Sequence, residues 1–272
     1  MRPVLFTWDW GFGPLPVRSY ETALLLAAAL TVALSYVLAV RRGLPRRGVV
    51  VVLLCSGLAV LAGARVTHLI AAGEWGPGLL GRLLDLRVAS FSLSGGLLAG
   101  LLAGWVISRQ QGVCAWRLAD ACAPAIALGI AASRVGCFLQ GCCFGVETRL
   151  PLGVCFPWGS PAHLHQLAAG QLSPLEMSSR PVCPTQLYEL VAASLTAAVA
   201  SLLLCRRIPD GSVIMISAAM FLSLRALALT QRALTNPGEL LNLVLLGVVA
   251  ALFVLRLYEQ RVNPKATYAP PR

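Results

Sequence analysis

Long apolar runs separated by short polar punctuation dominate this chain, and seven of them reach the length of a bilayer crossing. They run from Tyr20 to Val40, Gly48 to Ala72, Phe91 to Ser108, Ala119 to Gln140, Pro184 to Cys205, Gly211 to Gln231 and Glu239 to Leu257. A helix needs about 20 apolar residues to cross the hydrocarbon layer. The expected fold is therefore all-α: a polytopic membrane protein of seven transmembrane helices, forming a single membrane domain over residues 1–272. Between the second and third runs, GEWGPGLLGRLLDLRVAS (residues 73–90) keeps Leu pairs in a polar setting and reads as an interfacial arm. Residues 141–183 carry several Pro-containing turns and two His with little periodicity, and read as an external loop or small head. The opening MRPVLFTWDWGFGPLPVRSYE lacks the compact apolar core of a cleavable signal, so the first span is expected to be retained.

Composition agrees with this class: 57% of residues are hydrophobic, 12% are charged, and the mean hydropathy is +0.76. The net charge of +11 acquires its meaning from the loops. Counting alternate sides, Arg41, Arg42, Arg46, Arg47, Arg109, Arg117, Arg206, Arg207, Arg256, Arg261, Lys265 and Arg272 share one face. Arg2, Arg18, Arg82, Arg87, Arg149, Arg180 and Arg232 share the other. The richer face is cytoplasmic by the positive-inside rule, which puts the N-terminus outside and the C-terminus in the cytoplasm. The charge is thus topological: membrane lipid is the expected partner, and no nucleic acid is.

Within the spans, Arg65, Arg134 and Arg225 are the positions that apolar burial cannot explain. A guanidinium stays protonated, so each needs a partner, a polar cavity or a snorkelling reach to the headgroup boundary to offset several kcal/mol. The predicted topology gathers other polar residues at the same outer depth. Tyr20 and Glu21 open the first span, His68 lies near Arg65, and Ser94, Gly95 and Gly96 open the third. Gln140 ends the fourth, Gln186, Tyr188 and Glu189 begin the fifth, and Arg232 follows Arg225. Together they suggest an intramembrane site for an anion, open to the outer leaflet.

Nine cysteines need a separate account. Cys55, Cys114, Cys122 and Cys205 read as small apolar residues. Cys137, Cys142, Cys143, Cys155 and Cys183 fall on the outer side, where thiols oxidise. Their spacing matches no common zinc pattern, and the adjacent pair is poorly arranged to ligate one tetrahedral ion, so no metal is expected and at least one pair is expected within bridging range. His163 and His165 read as solvent-exposed. In the third span, Gly96, Gly100 and Gly104 read as a helix-packing face, with Gly95 open to either packing or lipid.

SRVGCFLQGCCFG resembles the segment Gly-Arg-x-Gly-Asn-Phe-x-Asn-Gly-Glu-x-x-Gly of bacterial prolipoprotein diacylglyceryl transferases. Further blocks follow in the family's order: RSYE resembles its Arg-x-Tyr-Gly, SLSGGLLAG its Ser-Phe-His-Gly-Gly, PTQLYEL its His-Pro-Ser-Gln-Leu-Tyr-Glu, and LRALALTQR its Arg-Phe-x-x-Glu-x-x-Arg. The resemblance implies an enzyme of the bacterial plasma (inner) membrane. Such an enzyme moves a diacylglyceryl group from phosphatidylglycerol to the lipobox cysteine of a prolipoprotein, whose signal peptide is a partner, and uses no cofactor. It implies that Arg134 holds the lipid phosphate, Arg225 adds charge as the C–O bond breaks, Tyr20 hydrogen-bonds near the reacting centre, and Gly145 permits close backbone approach. Ser94, Gly95, Gly96, Gln140, Gln186 and Arg232 complete the substrate-binding set.

This chain departs from the pattern at the groups that would take protons. Ser94 stands for the family's His, Cys137 for Asn, Cys142 for Glu, Leu229 for the Glu of the sixth span, and Cys183 for the His of the fifth-span block. Glu189 is the remaining carboxylate at the site's depth and is the candidate general base, with Glu21 second and Glu147 expected in the solvated loop. Helix pairing with an arginine is its alternative role. Two other classes stay open: a non-catalytic lipid-binding or lipoprotein-handling protein, and a thiol redox membrane protein.

Overall fold

The computed structural model describes residues 4–9, 14–73, 81, 93–232, 244–251, 253 and 255. Its elements are β1 (Val4–Asp9), β2 (Pro14–Arg18), α1 (Ser19–Arg41), α2 (Arg46–Ala72), α3 (Leu93–Gln110), α4 (Ala115–Gln140), α5 (Pro161–Ala168), α6 (Thr185–Leu204) and α7 (Ser212–Leu229). Five of these, α1, α2, α4, α6 and α7, are long and apolar enough to cross a membrane. Their surfaces bear it out, because Leu25, Leu26, Leu58, Leu98 and Leu227 lie exposed with no protein covering them. An aqueous protein would bury such side chains, whereas lipid solvates them at no cost. This is a multi-pass membrane protein. The third predicted run is occupied by α3. The seventh is helical at residues 244–251, and its remainder lies largely outside the described residues, as does nearly all of the interfacial arm. The all-helical expectation needs one amendment: β1 and β2 form an antiparallel pair before α1.

The chain falls into two compact units, Met1–Ser35 with Ala123–Pro270, and Tyr36–Cys122 with the final two residues. In the second unit, α2 and α3 meet through glycines. A Cβ on Gly96 would sit 2.9 Å from the carbonyl of Val60 and 3.0 Å from the Cβ of Ala64, and one on Gly95 would strike Thr67. Small residues let the backbones approach until dispersion holds them, the usual way helices associate where water supplies no driving force. At one end of this unit Ala39, Leu44, Val49 and Val52 pack with Val113, Leu118 and Ala121. Arg65 is buried here at 4% exposure, which excludes a snorkelling side chain.

In the first unit, Thr31 Oγ1 donates to its own helix at Ala27 and lies 3.4 Å from the carbonyl of Ala125, tying α1 to α4. Nearer the site, Gly136 of α4 lets Tyr20 and Ala23 of α1 come close. Between α4 and α6, Phe144, Phe156, Ala162 and Val182 pack into a core of their own. Ser160 caps α5, its hydroxyl accepting from the N–H of His163. Phe156 is locked on both sides: its N–H donates to Ser179 Oγ and its carbonyl accepts from Ser179 N–H, each at 2.8 Å. The exposed reading of His163 is corrected. Its ring is buried, with Nε2 2.9 Å from the carbonyl of Glu176, because this segment packs a core beside it.

Candidate functional site

Three helices contribute the charged side chains of one buried cluster. The first is α6, which starts after Pro184 and buries a stripe at helical spacing: Thr185, Gln186, Glu189, Ala192, Ala193 and Thr196. Its outer residues are apolar, so this polar stripe must find partners inside the protein. Glu189 is fully buried. Its Oε2 lies 2.8 Å from Arg134 Nη2, near the end of α4, and 4.0 Å from Arg225 Nε of α7. Its Oε1 accepts a 3.0 Å hydrogen bond from Arg232 Nη2, just past α7. The Arg134 contact is a close ion pair, and its geometry falls short of a hydrogen bond.

The charge balance of this cluster is its main feature. Three guanidinium groups surround one carboxylate, an excess of two positive charges among side chains at most 20% exposed. The Nε groups of Arg134, Arg225 and Arg232 are buried without a hydrogen-bond partner among the described residues. A buried donor left unmade costs about 1–3 kcal/mol, more when it is charged. Stability alone would not select such a surplus. A dianionic or monoanionic ligand with several acceptor oxygens would neutralise it and satisfy the open donors.

The turn after α4 is anchored to the same helices. Gln186 Nε2 donates to the carbonyl of Cys142, and Thr185 Oγ1 to that of Cys143, both at 2.6 Å. Gly145 N–H donates to the carbonyl of Cys183 and Val146 N–H to that of Gln231, so the strand-like contact of Gly145 with Arg232 fixes the end of α7. Only glycine fits at 145, since an added Cβ would lie 2.7 Å from both the Cβ and the carbonyl oxygen of Cys183. Hydrogen bonds with Cys137 and then Cys142 hold the Cys143 thiol below its ordinary range, and the Arg134 and Arg232 charges act the same way against burial. Hydrogen bonds with Cys137 and Cys143, with burial, push the Cys142 thiol up.

The model of the prolipoprotein diacylglyceryl transferase family matches residues 6–259 of this chain. The chain belongs to this family. It is similar to the phosphatidylglycerol–prolipoprotein diacylglyceryl transferases of Rhodopirellula baltica, at 31% identity over 167 residues, and of Azoarcus sp. strain BH72, at 33% over 172. Those matches cover 59% and 58% of this chain but 34% and 64% of the relatives, so the chain spans less than two thirds of either. The enzyme of that name from Dehalococcoides mccartyi is 26% identical over 220 residues, 75% of each chain.

Of the residues singled out from the sequence, this diacylglyceryl transferase family member brings Arg134, Glu189, Arg225 and Arg232 into one cluster, with Gln186 and Gly145 bracing the adjacent turn. Tyr20 lies within electrostatic range of Arg134 and of the thiols that follow it. Gln140 instead lines a cavity of about 270 Å³ with Arg18, Pro157, Trp158 and Ser160, whose lining includes none of the three arginines. Gly95 and Gly96 are occupied by contacts with α2, so packing accounts for them. Ser94 lies in the first turn of α3. Glu21 pairs with Arg18 and Glu147 with Arg180, all four well exposed. Sequence reasoning missed Thr185, whose only signal was its place beside Gln186 on the buried stripe.

Proposed function

We propose that this protein is an enzyme of the bacterial inner membrane, with its N-terminus outside and its C-terminus in the cytoplasm, that transfers the diacylglyceryl group of phosphatidylglycerol to the lipobox cysteine of a prolipoprotein. The observation that carries the reading is the surplus of two positive charges around Glu189, with unpaired donors on all three arginines. A phosphodiester headgroup is an anion that reaches this depth still attached to its acyl chains. Arg134 binds the phosphate, its fork matching two oxygens. The acceptor sulfur attacks the terminal glyceryl carbon, the C–O bond to phosphate breaks, and its electron pair leaves on glycerol phosphate. Charge then grows on the phosphate oxygens, where Arg225 and Arg232 stabilise it more than in the ground state.

Glu189 has both oxygens engaged by guanidinium groups and no exposed surface. Such a carboxylate is poorly placed to accept a thiol proton, and its role is to position the arginines. The thiol proton passes, as the C–O bond breaks, to the phosphate oxygen that the glyceryl carbon leaves, which becomes a monoester with a second ionisation at about pH 6. Tyr20 hydrogen-bonds near the reacting centre, and Ser94 takes the place of the family's histidine.

The test incubates the purified full chain with phosphatidylglycerol and a lipobox peptide and weighs the peptide by mass spectrometry. Addition of one diacylglyceryl mass to the cysteine, dependent on phosphatidylglycerol, is the expected result. An unmodified peptide from protein that retains the lipid would replace this reading with non-catalytic lipid binding.

A further inference from the structure

The thiols next to this cluster have no part in the transfer chemistry above. Cys137 is on the last turn of α4, and Cys142 and Cys143 are in the turn that follows. The spacing matches no common zinc pattern and the adjacent pair is poorly arranged for one tetrahedral ion, yet the backbone brings the three sulfurs together. Gly141, at φ 76°, ends the helix, and the N–H groups of Gly141 and Cys142 both bond back to the carbonyl of Cys137. Cys143 then adopts φ 59°, the one left-handed non-glycine residue among those described. An L side chain takes this conformation only where its surroundings enforce it. Here Gln186 and Thr185 do so through the carbonyls of Cys142 and Cys143. As a result the three sulfur atoms lie within 4.8 Å of one another.

We propose that Cys137, Cys142 and Cys143 form a three-thiolate site for one soft d10 cation of the class of Zn2+, Cd2+ or Cu+. An ion bonded to each sulfur at about 2.3 Å holds the sulfurs about 4 Å apart, inside the 4.8 Å that bounds their separations here. Thiolates select soft cations, and hard ions such as Mg2+ are excluded by ligand type. Binding a divalent ion as three thiolates releases the protons those thiols still carry and leaves a group of charge −1. Arg134, whose Nη1 lies 3.7 Å from Cys137 Sγ, balances that charge. Cys143, the most exposed of the three, gives the ion a route in. The site does not depend on the transferase reading.

The probe is Cd2+ added to the detergent-solubilised full chain, reduced with a phosphine and freed of metal. Elemental analysis after desalting and the ultraviolet cadmium–thiolate band both report occupancy. One Cd2+ per chain is expected, unaffected by excess Mg2+. Affinity should fall more than about tenfold in Cys143→Ala and in Cys137→Asn, and stay unchanged in Cys205→Ala. Cys137→Asn restores the residue of the family pattern, so it guards against a variant that simply fails to fold. Wild-type protein with an intact unfolding transition and no bound Cd2+ would overturn the proposal, as would equal loss in Cys205→Ala or equal binding by the Cys143 and Cys137 variants.

Discussion

The α2–α3 contact and the meeting of α4, α6 and α7 hold helices together by opposite means. At the first, glycine leaves room and the backbones nearly touch: a Cβ on Gly63 would lie 2.6 Å from the carbonyl of Gly95. Nothing there requires charge, and the contact is complete without a ligand. At the second, three cations share one buried anion and leave donors open. Helix association does not need such an arrangement, since apolar side chains of similar volume are often as stable or more so than a buried ion pair. The contrast separates residues that build the protein from residues that do something in it.

If Glu189 is what allows three arginines to coexist, removing it should have the largest effect. Glu189→Ala leaves three buried guanidinium groups in mutual repulsion, and a loss of about 3–5 kcal/mol is expected. Thermal unfolding in detergent would show it as a large fall in the midpoint. A midpoint close to wild type would mean that the arginines reach water on their own, and the positioning role would fail.

The glycine contact can be broken on its own terms. Gly63→Ala should destabilise by about 1–3 kcal/mol through overpacking against α3, despite the better helix propensity of alanine. Gly57, in the same helix, faces open space, so Gly57→Ala should stabilise by about 0.5–1 kcal/mol. Opposite signs in the two unfolding midpoints would establish packing as the cause; equal signs would leave propensity as the explanation.

Arg134→Lys sharpens the other side of the comparison. Charge is kept, but a point charge cannot copy the fork, so affinity for phosphatidylglycerol vesicles should fall about tenfold with a smaller change in stability. Equal lipid binding by the two proteins would remove Arg134 from the phosphate site.

Legibility in the sequence followed the physics of each feature. The spans were readable because crossing a bilayer imposes a length on apolar runs, and Arg134 and Arg225 stood out because a charge at that depth demands a reason. Depth also suggested that Glu189 and Arg232 would join them. Which groups touch depends on how each helix is rotated about its axis, and a few polar residues in a long apolar run fix that rotation only weakly. Hence depth alone grouped Gln140 with the arginines, whereas it lines a cavity without them, and it left Gly95 open to packing or lipid until its contact with α2 was seen. Convergence of Cys137, Cys142 and Cys143 was hidden for a different reason: it rests on the left-handed backbone of Cys143, a conformation that residue type does not announce.

The smallest effect tests whether every unpaired buried polar group on the helices of the cluster belongs to it. Ser217, on α7, is buried with a hydroxyl that lacks a partner among the described residues. It carries no charge, so its cost is only that of a desolvated hydroxyl, and truncation leaves a cavity about the size of one oxygen. Ser217→Ala should therefore be neutral or stabilising by up to about 1 kcal/mol, with phosphatidylglycerol binding unchanged. A stabilised variant that binds lipid normally would make Ser217 an incidental burial of the kind the α2–α3 contact avoids. A variant that loses lipid affinity would instead extend the ligand site along α7, beyond the three arginines.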